Sequence, residues 1–111
     1  MLERLSGRSH MVFTAVAVCF RSRLATHLES ARVTFVAAKA QLLDWYASTG
    51  EGIDKAGAYA VQGAGALLVE RIDGNVQAVV GLPLSPLPSL FARVGLELRP
   101  EADRLALSLR A

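Results

Sequence analysis

The sequence carries a single cysteine, Cys19, and so cannot form an internal disulfide. Cys19 stands in an alternating apolar run and has no neighbouring base to activate it. It reads as a reduced core residue, because free cysteine is among the most buried residue types. Histidine is almost as scarce. His10 and His27 share no metal-ligand spacing with each other or with Cys19, so the pattern offers no zinc site. Each reads as a structural hydrogen-bonding or solvent-exposed group.

Aromatic residues make up only 6% of the chain, which leaves few platforms for stacking single-stranded bases. A large excess of one charge is also missing. Twelve basic residues face ten acidic ones, for a net charge of +2, and the signs alternate. Without a basic stripe interleaved with aromatics, a nucleic-acid polymer is not an expected partner, whereas a nucleotide-sized anion remains open. Long hydrophobic runs are lacking as well. The longest, residues 11–20, holds Thr14, precedes Arg21 and Arg23, and is about half of the ~20 residues a membrane helix needs. The first residues, Met-Leu-Glu-Arg-Leu, do not follow the signal-peptide pattern. The expectation is a cytoplasmic protein with no membrane association.

What is present is apolar side chain, 52% of the residues, which excludes disorder and suits one small domain at this length. Leu2 and Leu5 have helical spacing, and Ser6-Gly7 closes that turn. Residues 11–20 alternate with both faces apolar or small, which predicts a strand inside a sheet. A polar break at Arg21-Ser22-Arg23 then predicts a hairpin to a second, antiparallel strand over residues 24–36. Residues 39–48 fit an amphipathic helix, ended by Gly50, with Trp45 and Tyr46 as rim and core. Farther on, residues 66–72 read as a strand, Asp73-Gly74 as a turn and residues 75–80 as partly extended. Residues 88–94 suit a helix opened by Pro88, and residues 96–98 a last strand. The alternating leucines of residues 100–111 have no evident partner. The fold class is mixed α/β, with a largely antiparallel sheet flanked by short helices.

Chemistry concentrates in Asp54-Lys55-Ala56-Gly57-Ala58-Tyr59-Ala60-Val61-Gln62-Gly63. A lysine among small residues can reach a phosphate, and the preceding carboxylate can orient it or help hold a divalent cation. The Gln62 amide, donor and acceptor at once, matches O4 and N3–H of uracil or thymine. The competing reading is a Gly/Ala-rich turn with Asp54 and Lys55 in a solvated pair. Gly63-Ala64-Gly65 lacks the third glycine and following helix of a dinucleotide fingerprint, and no P-loop or nucleophile elbow occurs. Glu70 and Arg71 fall on opposite faces of their expected strand, which would turn one of them inward.

The segment 54–63, followed by Gly65-Ala66-Leu67-Leu68-Val69-Glu70-Arg71-Ile72-Asp73-Gly74 and Val79-Val80-Gly81-Leu82-Pro83-Leu84, resembles the Maf family. So does Leu5-Ser6-Gly7-Arg8-Ser9-His10 leading into Val12, Thr14, Val16 and Val18. The resemblance runs in order over residues 1–98, leaving 99–111 as a tail. It implies the C-terminal lobe of a fold shared with the inosine triphosphatases. It also implies hydrolysis of a nucleoside triphosphate, dTTP or UTP, to the monophosphate and pyrophosphate with a divalent metal, magnesium or manganese. Gln62 carries over as a substrate-binding determinant of base choice and Lys55 as a pocket residue. The family's Ser-x-Ser-Pro-Arg-Arg motif and the segment bearing its general-base aspartate have no counterpart here. The resemblance therefore assigns no catalytic residue within this chain, and Asp44, Asp54 and Asp73 do not stand in the matching context. Ala15, Met11, Val76 and Ala78 depart from the family's usual residues. The alternative is a catalytically inactive nucleotide-binding or interaction module, and an unpartnered strand at residues 11–20 would promote homo-oligomers.

Overall fold

A computed structural model describes residues 1–110. Its backbone is a long hairpin, β1 (Ser9–Phe20) and β2 (Arg23–Phe35), paired antiparallel from Ser9↔Thr34 to Phe20↔Arg23. Period-2 alternation rich in β-branched residues produces these strands. The turn between them holds Arg21 at φ +56°, its guanidinium lying 5.0 Å from the Phe20 ring centroid. β3 (Val69–Gly74) joins the other edge of β2, giving the antiparallel order β1-β2-β3. Short helices cover one face of this sheet: α1 (Leu2–Leu5), α2 (Ala40–Ser48), α3 (Val76–Val80) and α4 (Leu87–Arg93). β4 (Leu96–Glu101) and β5 (Arg104–Leu109) form a separate two-stranded ribbon. The fold is mixed α/β with antiparallel sheets and short helices, as expected.

The inward residues of the hairpin feed two apolar clusters. Val33 and Phe35 of β2 meet Leu2, Leu43, Tyr46, Tyr59 and Leu68 near one end. Val16 and Ala25 meet Leu90 and Val94 of α4 near the turn. Tyr46 is buried while its neighbour Trp45 is half exposed, the division of roles their helical spacing predicts.

Several local expectations are corrected. β1 lies at a sheet edge rather than inside, with β2 as its one neighbour. Its second apolar face is also uncovered: Phe13 is 63% exposed, and Leu28 on the same face of β2 is 64% exposed. Cys19 belongs to that face and is exposed, not buried in the core. The third strand begins at Val69 because Gly63–Leu68 coils into a 3₁₀ helix, η1. Residues 76–80 are helical rather than extended, because the Asn75 side chain accepts from the Gln77 N–H at 2.9 Å and nucleates a turn. A bulge between Thr34 and Phe35 breaks the register that would have turned Glu70 or Arg71 inward. Both are exposed, and Arg71 pairs with Asp73 at 2.8 Å. The leucines of the tail do have a partner: Leu105, Leu107 and Leu109 stand opposite Pro100, Leu98 and Leu96 of β4.

Candidate functional site

A cleft of about 540 Å³ opens beside the first half of β1. His10, Val12 and Thr14 form its base, Asp54 to Gly57 and Tyr59 one wall, and Ala78 to Gly81 the other. Each wall is tied to the hairpin. The Thr14 hydroxyl donates to the Ala78 carbonyl at 2.7 Å, which holds the buried Ala78 of α3 against β1. On the other side, the rings of His10, Phe35 and Tyr59 pack edge to face, with centroids 4.8 to 5.6 Å apart.

His10 Nε2 and the Tyr59 hydroxyl share a hydrogen bond of 2.7 Å. Burial lowers the pKa of His10 and pushes that of Tyr59 up to about 12, so both are neutral at pH 7. His10 Nδ1 is buried without a hydrogen-bond partner. With Nε2 engaged by Tyr59 and Nδ1 enclosed, His10 presents no accessible lone pair to a ligand in the cleft. The pair supplies an uncharged polar floor.

Lys55 and Asp54 both stand exposed on the rim of the cleft. Among the described residues their side chains do not form an ion pair, unlike the solvated pair of the competing reading. The loop bearing them folds tightly, with the Lys55 N–H bonded to the Gly52 carbonyl at 3.1 Å and the Ala58 N–H to the Lys55 carbonyl at 3.0 Å. A Cβ on Gly52 would collide with the Ala58 carbonyl, which is why this turn demands glycine. Lys55 is the only lysine or arginine lining the cleft among the described residues.

Gln62 is exposed and caps the start of η1, outside the residues that line the cleft. The structure shows why its segment is ordered, and the reason is a residue that sequence reasoning passed over. Glu51 Oε1 accepts from the Tyr46 hydroxyl at 2.8 Å and from the Gly65 N–H at 2.9 Å, while Oε2 accepts from the Ala64 N–H at 3.2 Å. The Tyr46 hydroxyl in turn accepts from the Ala60 N–H at 2.9 Å. The Tyr46 hydrogen bond, then the backbone bonds, hold the Glu51 carboxyl below the usual carboxylate range. The available signal was the placement of Glu51 between Gly50 and Gly52, where backbone amides can approach a carboxylate closely. Among the described residues no group of three or more His, Cys, Asp or Glu side chains could hold a metal ion. No helix among them is long and apolar enough to cross a membrane.

The chain is 49% identical over 98 residues to the dTTP/UTP pyrophosphatase of Myxococcus xanthus (strain DK1622), covering 88% of this chain and 50% of that protein. It is 49% identical over 85 residues to the dTTP/UTP pyrophosphatase of Bacillus velezensis, covering 77% of this chain and 45% of that one. With the dTTP/UTP pyrophosphatase of Neisseria meningitidis serogroup B the identity is 37% over 94 residues, covering 85% and 46%. The chain thus spans about half the length of the curated relatives it matches. The family described as Maf-like protein matches residues 1–94, and the chain belongs to that family.

Proposed function

We propose that the protein is a nucleoside triphosphate pyrophosphatase acting on dTTP and UTP, in which this chain offers Lys55 to the phosphates and Gln62 to the base. The observation that supports this best is the cleft: one exposed lysine on a small-residue rim, above an uncharged His10–Tyr59 floor. Water attacks the α-phosphorus, the bond to the bridging oxygen breaks, and pyrophosphate leaves with the electron pair. The Lys55 ammonium offsets charge on the departing phosphates. The proton lost by water needs a general base, and we assign that role to no residue of this chain. Asp44 is exposed on α2, Asp73 is engaged by Arg71, and His10 has Nε2 bonded to Tyr59 and Nδ1 buried. The family resemblance puts the general base outside the matched half.

We read a divalent cation, magnesium or manganese, as arriving on the triphosphate. Asp54 is the one carboxylate on the cleft among the described residues, so these residues build no cage, and phosphate oxygens and water would fill most of the coordination shell. We propose that the nucleotide-handling unit lies within residues 1–98 and that residues 99–111 are a tail outside it. We also propose a cytoplasmic site of action. A second reading, a nucleotide-binding or interaction module without turnover, draws support from the open apolar face around Phe13 and Leu28, which also favours self-association.

The deciding experiment is pyrophosphate release from dTTP and UTP with magnesium or manganese, on the folded chain and on Gln62→Ala. Turnover that Gln62→Ala weakens supports the enzyme. Nucleotide binding without turnover is the outcome expected when the general base lies outside this chain, and it also fits the nucleotide-binding module of the second reading; no binding removes the enzyme and leaves only an interaction module.

A further inference from the structure

Gln62 stands midway between two fastened amides. Ala60 is tied to the Tyr46 hydroxyl, and Ala64 and Gly65 are tied to Glu51, which is itself bonded to Tyr46. One Tyr46–Glu51 pair therefore clamps the chain on both sides of Gln62, while the Gln62 side chain stays exposed. The glycines fit this clamp closely. Gly63, at φ +67°, would put a Cβ 2.7 Å from Glu51 Oε2, and a Cβ on Gly65 would collide with the Ala60 carbonyl. Among the described residues no cation pairs with Glu51, and the bonds its carboxylate accepts come from the tyrosine and from backbone.

We propose that Glu51 is a positioning residue for base recognition: through the backbone of residues 60–65 it sets where the Gln62 amide is presented, without touching the ligand itself. This rests on the reading of Gln62 as the base-binding group. A glutamine amide makes a paired contact with a pyrimidine only when it is held near one place, and a displacement of about 1 Å forfeits much of the interaction. An exposed glutamine on an untethered glycine-rich loop would spend little of its time there. The Tyr46–Glu51 clamp removes that freedom before the ligand arrives.

The test is calorimetric titration of the full chain with UTP and, separately, with inorganic tripolyphosphate, which has no base. Glu51→Gln is compared with wild type, Gln62→Ala and the double variant, and amide hydrogen exchange is followed at Ala64 and Gly65. The expected result is about a tenfold weaker affinity for UTP in Glu51→Gln, the scale of losing one or two hydrogen bonds. Affinity for tripolyphosphate stays unchanged, and exchange at both amides accelerates. On the Gln62→Ala background Glu51→Gln should cost nothing further, because the two residues act through one contact. Tyr46→Phe keeps the buried ring, removes the hydroxyl, and should repeat the pattern. Equal weakening of both ligands, additive losses in the double variant, or unchanged UTP affinity would each overturn the role of Glu51. Wild type that binds no UTP would instead overturn the proposed function, and the recognition role with it. The exchange data would still report whether the clamp is closed.

Discussion

The Tyr46 hydroxyl bridges Glu51 and Ala60: it donates to the carboxylate at 2.8 Å and accepts from the backbone N–H at 2.9 Å. Tyr46 rises from α2 into the core, so a residue that looks like packing also organises a surface loop. Tyr46→Phe leaves the Ala60 N–H without its partner, at a cost of about 1–2 kcal/mol. Thermal denaturation should show a lowered midpoint and a circular dichroism spectrum that otherwise overlays wild type.

Gly65→Ala makes a stronger demand on the same loop. The new Cβ would meet the Ala60 carbonyl and lie 2.9 Å from the Tyr46 hydroxyl, neither of which can move without opening the clamp. The variant should lose protection from hydrogen exchange at residues 60–65 and lose UTP affinity with it. Retention of both would contradict the close approach described.

Acid should destabilise the protein in two stages. The His10 pKa is lowered in the fold, so native protein binds fewer protons than unfolded chain, and stability falls as pH drops below the ordinary value of 6.5. The depressed carboxyl of Glu51 adds a second loss as pH falls below 4.5 through its folded value. Tyr59 behaves oppositely, stabilising below pH 10 and losing that contribution as pH rises toward about 12. Melting temperature against pH for wild type and His10→Asn checks the first stage, which should flatten in the variant.

Phe35 sits against both rings of the cleft floor and is 2% exposed. Truncating it to alanine should cost about 3–5 kcal/mol, the range for large buried aromatics. Chemical denaturation measures this directly. Phe13, in contrast, points to the open side of β1. Phe13→Ser should leave the denaturation midpoint nearly unchanged and reduce any self-association seen by light scattering.

The hairpin, α2, α4 and the start of β4 were legible because their periodicities are long or their boundaries punctuated. The tail and residues 76–80 were not. A strand pattern names no partner, and the Leu98↔Leu107 pairing is made by a turn whose left-handed residue is Ala102, at φ +52°, rather than glycine. Residues 76–80 are apolar enough for either state, and only the Asn75 cap decides between them. At the candidate site, the small neighbours of Lys55 single it out in the sequence, and it stands on the rim of the cleft. Glu51 was not legible, because its partners are the Tyr46 hydroxyl and two backbone amides, and beyond the flanking glycines no local pattern announces them. Burial failed at Cys19 for a similar reason: composition reports what could be covered, not which side of a strand the rest of the chain covers.

The two apolar clusters share strands but no buried side chains. They lie along a molecule 57 Å in its longest dimension, with a radius of gyration of 17.7 Å. A compact chain of ~100 residues would measure about 13 Å. The hairpin thus behaves as a beam carrying two separate loads. Heat or denaturant acting on α4 and the β4–β5 ribbon should melt that end first and leave the cleft end standing, because little transmits cooperativity between them except backbone pairing. Local unfolding near the Arg21 turn would then be invisible to a ligand seated beside His10.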